Sequence, residues 1–503
     1  MRYFTLLFGI LLITQNTVAQ NINDISRFLS TDLNGSARHT SMAGAFGALG
    51  GDLTSISYNP ASSSVFLNSE FGASINYKNK RTNGTYFGTS EIRENDAISL
   101  DHFGAVFVFN NNNIESPWSR ISLGINFHKI VTYDQNAFLG GNSSNGIDKY
   151  FEYYAEGLAF ENLPVYEGES VSGIYRTLGE ENGFAAQQAF LGYQSYIINP
   201  FSFEDGNTQY YSNVDYNQVN HQLTLKNEGW HRKTSFNFSG LYKNKLHVGI
   251  NLNSHNLNYI SNQKFFETDQ ALNSNTYNIN FKNNLTSLGK GFSTQIGGIL
   301  RLNNIRLGAT YDSPQWLTIR DETSQSINAF HFEDGSTVNE LIDPNITNIY
   351  EFYKLKIPSK TTLSFAYVFG NKGVVSVDYS SQNAGNTMLN DEYGSDYLNT
   401  ISSKVDSEFG SINSIKIGGE YRLKDISLRA GLLSRNTAYK NSTADDLALT
   451  LGLGIDFGAS NLSLSLVNFE QNKDFKLFSK GLTNPYYLSQ NLTQVSISYN
   501  IKL

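Results

Sequence analysis

The sequence contains no cysteine, few charged residues and few tryptophans. The absence of Cys from all 503 residues excludes disulfides, thiolate metal sites and a lipid anchor on an N-terminal cysteine. Charged residues make up 16% of the chain, below the roughly 25% of an average soluble domain, whereas Phe and Tyr number 34 and 30 against three Trp. The net charge of −8 provides no basic face for a nucleic acid. We therefore predict an aromatic, neutral-polar protein with no nucleic-acid partner.

Long apolar runs are also absent beyond the N-terminus, where no stretch approaches the ~18 apolar residues of a helical membrane span. The N-terminus has a basic Arg2, an apolar run from Phe4 to Ile13 and the small-residue site Thr17-Val18-Ala19. This is the pattern of a secretory signal, so residues 1–19 are predicted to be a signal peptide. An exported chain without helical spans is either soluble or a closed barrel, the other fold that satisfies its backbone in lipid.

Motifs of catalysis and metal binding are missing. The sequence has no HExxH, GxSxG or phosphate-binding P-loop, and its eight His are dispersed. Three of them, His102, His128 and His247, alternate with apolar residues and are expected to face the inside of a barrel. We predict no catalytic residue, no metal and no cofactor, and hence not an enzyme.

A strict alternation of apolar and polar residues is the main positive signal. In the last segment, TQVSISYNIKL, Val495, Ile497 and Tyr499 share one face of a strand, with Ser496 and Ser498 on the other. Similar segments recur along the chain and give fourteen strands, two of them less regular. A soluble sandwich would show the same local pattern, so the connections must decide between the two folds.

The connections alternate between short and long. Six short ones fall at residues 110–118, 243–245, 303–304, 370–372, 424–425 and 458–459. Seven long polar ones are predicted at about 81–96, 133–229, 261–275, 321–347, 382–410, 436–446 and 471–490. An even strand number, with short turns on one side and long loops on the other, is typical of an outer-membrane barrel.

Two blocks lie outside this strand pattern. The insert, residues 134–229, contains YFEYYAEGLAF (150–160) and FAAQQAFLGYQSYII (184–198), which are expected to form short helices in an external loop. The leading segment, residues 20–68, precedes the first strand and is too long for a plain tail. We therefore predict an all-β, transmembrane antiparallel barrel of about fourteen strands over residues 69–503, with a partly helical extracellular insert.

The leading segment carries a resemblance to a known family. It reads SARHTSMAGAFGALGGDLTSISYNPASSSVF, which resembles the N-terminal plug of the FadL/TodX type of outer-membrane transport proteins for hydrophobic compounds, in a Bacteroidetes-like branch. The residues that match the family's hatch motif are Gly44, Phe46, Asp52, Asn59, Pro60 and Ala61. Weaker matches lie at YDSPQW (311–316), LKIPSK (355–360), SVDYS (376–380) and IGGEYRLKDISLRAGL (417–432).

This resemblance implies that residues 20–68 form a hatch in the lumen of a fourteen-stranded barrel. It also implies that ligands leave sideways into the bilayer beside a kinked third strand, near Asn59-Pro60-Ala61. The third strand is predicted at Arg120 to Val131, and Gly124 is the residue there that would ease a kink and mark a lateral gate.

Three arginines are expected to form a charged lining of the lumen: Arg306, Arg422 and Arg429. They would either bind a fatty carboxylate through paired hydrogen bonds or, as is more usual inside barrels, pair with Glu420, Asp378 or Asp456.

The leading functional hypothesis is uptake of hydrophobic small molecules, such as long-chain fatty acids or similar lipids and hydrocarbons, across the outer membrane of a Gram-negative cell. Its partners would be the hydrophobic ligand and outer-membrane lipid, and the protein would be a monomer. The alternative is a barrel that does not transport but acts as a protein partner or shuttle in a secretion system, with the insert as its docking surface.

Overall fold

The computed structural model describes residues 22–113, 115–391, 396–440, 442 and 445–503. The predicted signal peptide, residues 1–19, lies outside this part of the chain. No helix within it is both long and apolar enough to cross a membrane.

The strands form one closed antiparallel barrel. Each strand pairs with the next along the chain, and the first pairs with the last from Glu70↔Lys502 to Thr85↔Tyr487. Fourteen strands make up the wall, as predicted. They are β1 Glu70–Tyr86, β2 Thr89–Asn110, β3 Trp118–Thr132 continued by Gln135–Ser143, β4 Val219–Tyr242, β5 Leu246–Thr268, β6 Thr276–Leu302, β7 Ile305–Asp312 continued by Gln315–Glu333, β8 Tyr353–Ile357 continued by Lys360–Val368, β9 Gly373–Asn383, β10 Ser411–Leu423, β11 Ile426–Asn436, β12 Asp445–Asp456, β13 Ser460–Lys476 and β14 Pro485–Lys502.

The alternating pattern produces a barrel with its apolar face outside. In β14, Ile497 and Tyr499 are 53% and 48% exposed, whereas Ser496 and Ser498 are 0% and 4% exposed. The three histidines expected inside, His102, His128 and His247, are all buried. An apolar outer band with a polar interior is the arrangement that strands need when hydrocarbon surrounds them.

The strands are much longer on one side of the barrel than on the other. Strands β4, β5 and β6 have 24, 23 and 27 residues, whereas β9 to β12 have 11 to 13. Four predicted loops, at 81–96, 261–275, 321–347 and 471–490, are largely strand, and β1 turns into β2 at Phe87-Gly88. The prediction failed there because these extensions are mainly polar and their apolar residues, such as Phe265 and Ile327, are buried in the cluster of the insert, while backbone pairing needs no apolar face.

The leading segment fills the lower part of the lumen, and we call its described part, Ile22 to Leu67, the hatch. It contains α1 (Ile22–Leu29), α2 (Ala37–Ser41) and two 3₁₀ turns, Thr54–Ser57 and Pro60–Val65. Ser36 caps α2 by accepting a hydrogen bond from the His39 amide.

The insert and the other long connections close over the upper part of the barrel. The insert forms α3 (Asp148–Ala155), α4 (Val171–Glu181) and α5 (Gly183–Gln194), and the connection after β9 forms α6 (Asp396–Glu408). Phe151 and Phe190 of the insert pack with Phe265 of β5 and Phe281 of β6. The remaining short elements are strands Ile198–Pro200, Tyr210–Ser212, Ser336–Ile342, Asn348–Ile349 and Met388–Asp391 and 3₁₀ turns Phe160–Asn162 and Ala384–Asn386. Helices were predicted at 150–160 and 184–198, but α4 and α6 were not.

Candidate functional site: a plugged lumen with a break in its wall

The Asn59-Pro60-Ala61 triplet begins the second 3₁₀ turn of the hatch. The Asn59 Oδ1 atom accepts a hydrogen bond from the Ala61 amide at 3.0 Å, and the Asn59 Nδ2 atom donates to the Gly47 carbonyl oxygen at 2.6 Å. Pro60 occupies the first position of the turn, where its missing N–H has no intrahelical partner to lose. The triplet therefore fixes the local fold of the hatch.

The other matched residues of the hatch motif have similar local roles. Asp52 accepts hydrogen bonds from the Ser36 hydroxyl at 2.7 Å and the Thr54 amide at 2.9 Å. Gly44 has a φ of +74°, which favours glycine, and Phe46 is fully buried. None of the six motif residues lines the cavity described below.

Wall glycines let the hatch backbone lie directly against the inner surface of the barrel. We call these six residues the glycine face: Gly249, Gly297, Gly308, Gly418, Gly431 and Gly452. A β-carbon at Gly418 would lie 2.5 Å from the Met42 carbonyl oxygen, and β-carbons at Gly249 and Gly308 would clash with the carbonyls of Pro60 and Gly47. The hatch is therefore tightly packed on strands β5 to β7 and β10 to β12.

The three predicted lumen arginines are engaged by the protein itself. Arg306 donates to the Leu49 carbonyl oxygen of the hatch at 2.8 Å. Glu420 accepts ion pairs from Arg429 at 2.7 Å, from Arg422 at 2.8 Å and from Arg38 of the hatch at 2.9 Å. Of the two alternatives left open by the sequence, the geometry favours pairing with Glu420 over binding a ligand carboxylate.

A cavity of about 200 Å³ lies between the hatch and the wall. Its lining combines apolar, cationic and acidic side chains, the acidic ones being Asp32, Asp312, Asp446 and Asp474. The apolar ones include Phe28, Leu29, Ile130, Ile357, Ile412, Leu433 and Phe469, and the cationic ones are Lys233, Lys360, Lys416, Arg435 and Lys473. Such a lining fits a molecule with an apolar body and a polar or charged end.

Two of these lysines flank Tyr58 of the hatch, and we call Tyr58, Lys233 and Lys416 the lysine floor. The Lys233 ammonium donates to the Ser57 carbonyl oxygen at 2.7 Å, and the Lys416 ammonium lies 4.9 Å from the centre of the Tyr58 ring. Within the described residues neither lysine forms an ion pair, whereas Lys360 pairs with Asp312 and Arg435 with Asp446. The sequence placed charge on the alternating face at Lys416 but did not identify the floor, because its members come from two distant strands and the hatch.

The wall is interrupted between β2 and β3. Their ladder runs only from His102↔His128 to Asn110↔Arg120. Beyond His102, β2 pairs with β1 alone, and beyond His128, β3 pairs with β4 alone. A contact from the Thr89 hydroxyl to the Gly140 carbonyl oxygen closes the top of this wall break.

Two β-bulges start the wall break, and neither is at Gly124. The register shifts at Asp101 in β2 and at Ile130 in β3, with a further shift at Ser119. Gly124 is in regular register between Val106 and Asn237. A β-carbon there would make an ordinary 3.5 Å contact with Ile56 of the hatch. The bulge of β3 that lies nearest to the wall break is therefore at Ile130 and not at Gly124.

Hatch residues cover the wall break from inside. The Asp32 amide donates to the Ile130 carbonyl oxygen at 2.9 Å, and the Asp32 carboxylate accepts from the Thr132 amide at 2.9 Å. The Asn34 side chain donates to the Lys129 carbonyl oxygen at 3.0 Å. The resemblance implied that Asn59-Pro60-Ala61 would lie here, but that triplet lies against β5 and β6.

An ion cluster holds the lower end of the wall break. The Asp101 carboxylate pairs with the ammonium groups of Lys78 at 2.6 Å and Lys129 at 2.7 Å, and Lys78 also donates to the Asn34 Oδ1 atom at 2.8 Å. All four side chains are buried. The cluster thus ties β1, β2, β3 and the hatch together.

Solved structures of other proteins have a similar architecture. The Pseudomonas putida toluene transporter TodX matches with 13% sequence identity and a TM-score of 0.50, over 94% of this chain and 99% of that chain. A Pseudomonas aeruginosa FadL homologue matches with 10% identity and a TM-score of 0.54, over the same shares. No family model matches the sequence, and no curated protein matches it. At these identities the likeness concerns the fold, and the chain has the fold of the FadL/TodX-type barrels.

Proposed function

We propose that the protein takes up hydrophobic small molecules across the outer membrane of a Gram-negative bacterium. The observation that carries this proposal is the cavity beside the hatch, whose lining includes His128, Ile130 and Asp32, the residues at the wall break. A ligand in the cavity thus lies next to the wall break. Outer-membrane lipid would be the second partner, at the exposed apolar band, and we propose a monomer because the barrel closes within one chain.

A sideways exit suits an apolar cargo. A water-filled channel offers such a molecule no gain in free energy, whereas passage from the cavity into lipid keeps its apolar surface out of water. In this proposal Ile130, rather than Gly124, marks the lateral gate, since its bulge in the β3–β4 ladder lies two residues beyond His128, where the pairing of β3 with β2 ends.

The cavity favours a cargo with an anionic end. Among the described residues, neither ammonium group of the lysine floor forms an ion pair, and the nearest carboxylate across the β9–β10 ladder from Lys416 is that of Asp378. A ligand carboxylate would form charge-assisted hydrogen bonds with these ammonium groups. The apolar side chains of the lining would hold the hydrocarbon part. Long-chain fatty acids have this chemistry, and neutral hydrocarbons do not.

The protein-shuttle alternative finds less support. The insert, which would be its docking surface, packs Phe151, Phe190 and Leu191 against strands of its own barrel. These three side chains thus stabilise this chain, whereas Phe201 and Phe203 of the same insert are 67% and 69% exposed.

Mass spectrometry of small molecules extracted from the purified, detergent-exchanged barrel tests the proposal. We expect fatty acids or similar lipids to co-purify with the wild type and to be lost from a variant that lacks residues 20–64. The double variant Lys233→Met, Lys416→Met should keep its fold but lose carboxylate ligands selectively. An empty lumen together with a tightly bound protein would overturn the proposal in favour of the shuttle.

A further inference from the structure

Two lysines lie directly opposite each other on the outer face of the wall, in the extensions of β5 and β6. Lys264 and Lys282 are register partners in this ladder, and both are exposed. The residues next to them, Phe265 and Phe281, are buried on the inner face in the cluster of the insert. Side chains directly opposite in an antiparallel pair have β-carbons about 5 Å apart, and like charges there destabilise the sheet. The lysine pair therefore costs stability unless an anion lies between the two ammonium groups.

No carboxylate of the described wall supplies that anion. Within the described residues neither Lys264 nor Lys282 forms an ion pair. The carboxylates of the outer face on the neighbouring strands, Glu228 of β4 and Glu322 of β7, already pair with Lys226 at 2.6 Å and with Arg320 at 2.8 Å. The two ammonium groups are thus available to an external anion.

The side chains around the lysine pair are uncharged hydrogen-bonding groups. Thr224 and Ser326 flank the pair as its register partners on the neighbouring strands. Asn262 and Asn284 lie opposite each other, two residues closer to the membrane on the same face. Hydroxyl and amide groups beside two ammonium groups suit a ligand that carries both an anionic group and sugar hydroxyls.

The lysine pair lies above the lipid-facing band, on the side of the insert. Leu288 is the uppermost large apolar residue that is exposed on β6, and Lys282 lies six residues beyond it. Six strand residues span about 20 Å, or about 15 Å along the axis of a barrel with tilted strands. A phospholipid headgroup layer is only about 5–8 Å thick. The height therefore suits the larger saccharide headgroup of a glycolipid.

The positive charge is local to these strands. Residues 150–225, which include most of the insert, contain ten Asp and Glu and one cation, Arg176. On the outer face of β5 and β6, by contrast, Lys264, Lys282 and Lys290 are exposed. An anion beside the barrel is thus attracted to the strands and repelled by the insert above them.

We propose that Lys264 and Lys282 bind the phosphorylated saccharide headgroup of a glycolipid of the outer leaflet, of the lipopolysaccharide class. A phosphate group would lie between the two ammonium groups, and the Asn262 and Asn284 amides would form hydrogen bonds with sugar hydroxyls. The inference goes beyond the proposed uptake, because it concerns the lipid around the barrel and holds for any cargo. The bound glycolipid would remove the repulsion between the lysines and hold the long strands in the leaflet.

Native mass spectrometry of the purified barrel, titrated in detergent with short-chain (rough) lipopolysaccharide, tests the site. Lys264→Gln with Lys282→Gln should weaken binding by about ten-fold or more, because both ammonium groups contact the headgroup. The control is Lys372→Gln with Lys424→Gln, which removes the same charge from two short turns at the other end of the barrel and should bind like wild type. An equal loss of binding in both variants would show an effect of net charge alone and overturn the proposal.

Competing ligands test the chemistry of the headgroup. Lipopolysaccharide without its phosphate groups, phosphatidylglycerol and inorganic phosphate should each bind the wild type at least about ten-fold more weakly than intact lipopolysaccharide. Equal binding of phosphatidylglycerol would overturn the assignment to a saccharide headgroup. Equal binding of inorganic phosphate would show a site for the free anion.

Thermal unfolding in detergent separates binding from folding. Lys264→Glu turns the repelling pair into one of opposite charge, so we expect a higher Tm than wild type without lipid and no binding of lipopolysaccharide. Lipopolysaccharide should raise the Tm of the wild type but not of this variant, because a ligand stabilises only a state that binds it. A wild-type Tm that does not respond to lipopolysaccharide, or wild-type binding by Lys264→Glu, would overturn the proposal.

Discussion

At the scale of single residues, the glycine face predicts that alanine substitutions at two adjacent glycines, Gly418 and Gly419, have different effects on stability. Gly418→Ala places a methyl group 2.5 Å from the Met42 carbonyl oxygen, whereas the methyl group of Gly419→Ala meets the Val374 carbonyl oxygen at an ordinary 3.7 Å. We expect Gly418→Ala to lower the free energy of unfolding by about 1–3 kcal/mol through overpacking, and Gly419→Ala to leave it nearly unchanged. Denaturant unfolding in detergent micelles measures both, and equal values would contradict tight packing of the hatch.

Glu420 makes the second prediction at this scale. Glu420→Gln leaves the buried Arg429 and the partly exposed Arg38 without their carboxylate, and loss of the buried Arg429 pair costs about 3–5 kcal/mol. The matched control is Asp456→Asn, whose half-exposed carboxylate pairs with Lys502 at 3.0 Å and is worth at most about 1 kcal/mol. Limited proteolysis of the hatch should accelerate in the first variant alone, and the same rate in both would show that Glu420 does not anchor the hatch.

At the scale of elements, we expect the bulge at Ile130 in the β3–β4 ladder to keep β3 away from β2 beyond His128. Deletion of Ile130 should let β3 continue beside β2, close the break and abolish uptake while the barrel still folds. Deletion of Ser119, the bulged residue at the other end of β3, should leave uptake near the wild-type rate. The two variants are compared by uptake of a labelled long-chain fatty acid, and retained uptake after the Ile130 deletion would exclude a role for the break.

The strands also show what sequence can and cannot predict. Twelve of the fourteen strands were predictable because alternation is local and those strands carry it, and the two less regular ones were placed by the short turns that follow them. The extensions of β1, β5 and β7 were not predictable, since they are mainly polar and their apolar residues, such as Phe265 and Ile327, are buried in the cluster of the insert instead of forming an outward apolar face. Gly124 was chosen as the kink because glycine often marks a bulge, yet its neighbours are in register and the bulges fall at Asp101 and Ile130. Those positions follow from how three strands and the hatch pair, which no local pattern encodes.

At the scale of the whole molecule, a closed barrel, a packed hatch and an upper helical layer leave a cavity beside a wall break. The hatch motif could be assigned from its resemblance, and the structure gives its residues a role in folding the hatch. The lysine floor could not be assigned, because Lys233 and Lys416 are far apart in sequence and meet only around Tyr58.

The whole-molecule account makes a prediction about cargo charge. Lys233→Met with Lys416→Met should reduce uptake of a long-chain fatty acid while leaving uptake of its neutral methyl ester unchanged, because only the acid needs the ammonium groups. Lys354→Met with Lys356→Met, on neighbouring positions of β8 that do not line the cavity, is the control. An equal decrease in the uptake of the acid and of the ester in the first variant would mean that the lysine floor stabilises the fold and does not bind the carboxylate of the cargo.

Uptake itself is the most direct test of the central claim. The wild-type chain is expressed in Gram-negative cells that lack their own fatty-acid uptake protein, and accumulation of a labelled long-chain fatty acid is measured with and without the chain in the outer membrane. The account predicts accumulation that requires the protein and saturates with ligand concentration. Accumulation equal to that of cells without the protein, from a barrel shown to be folded in the outer membrane, would contradict it.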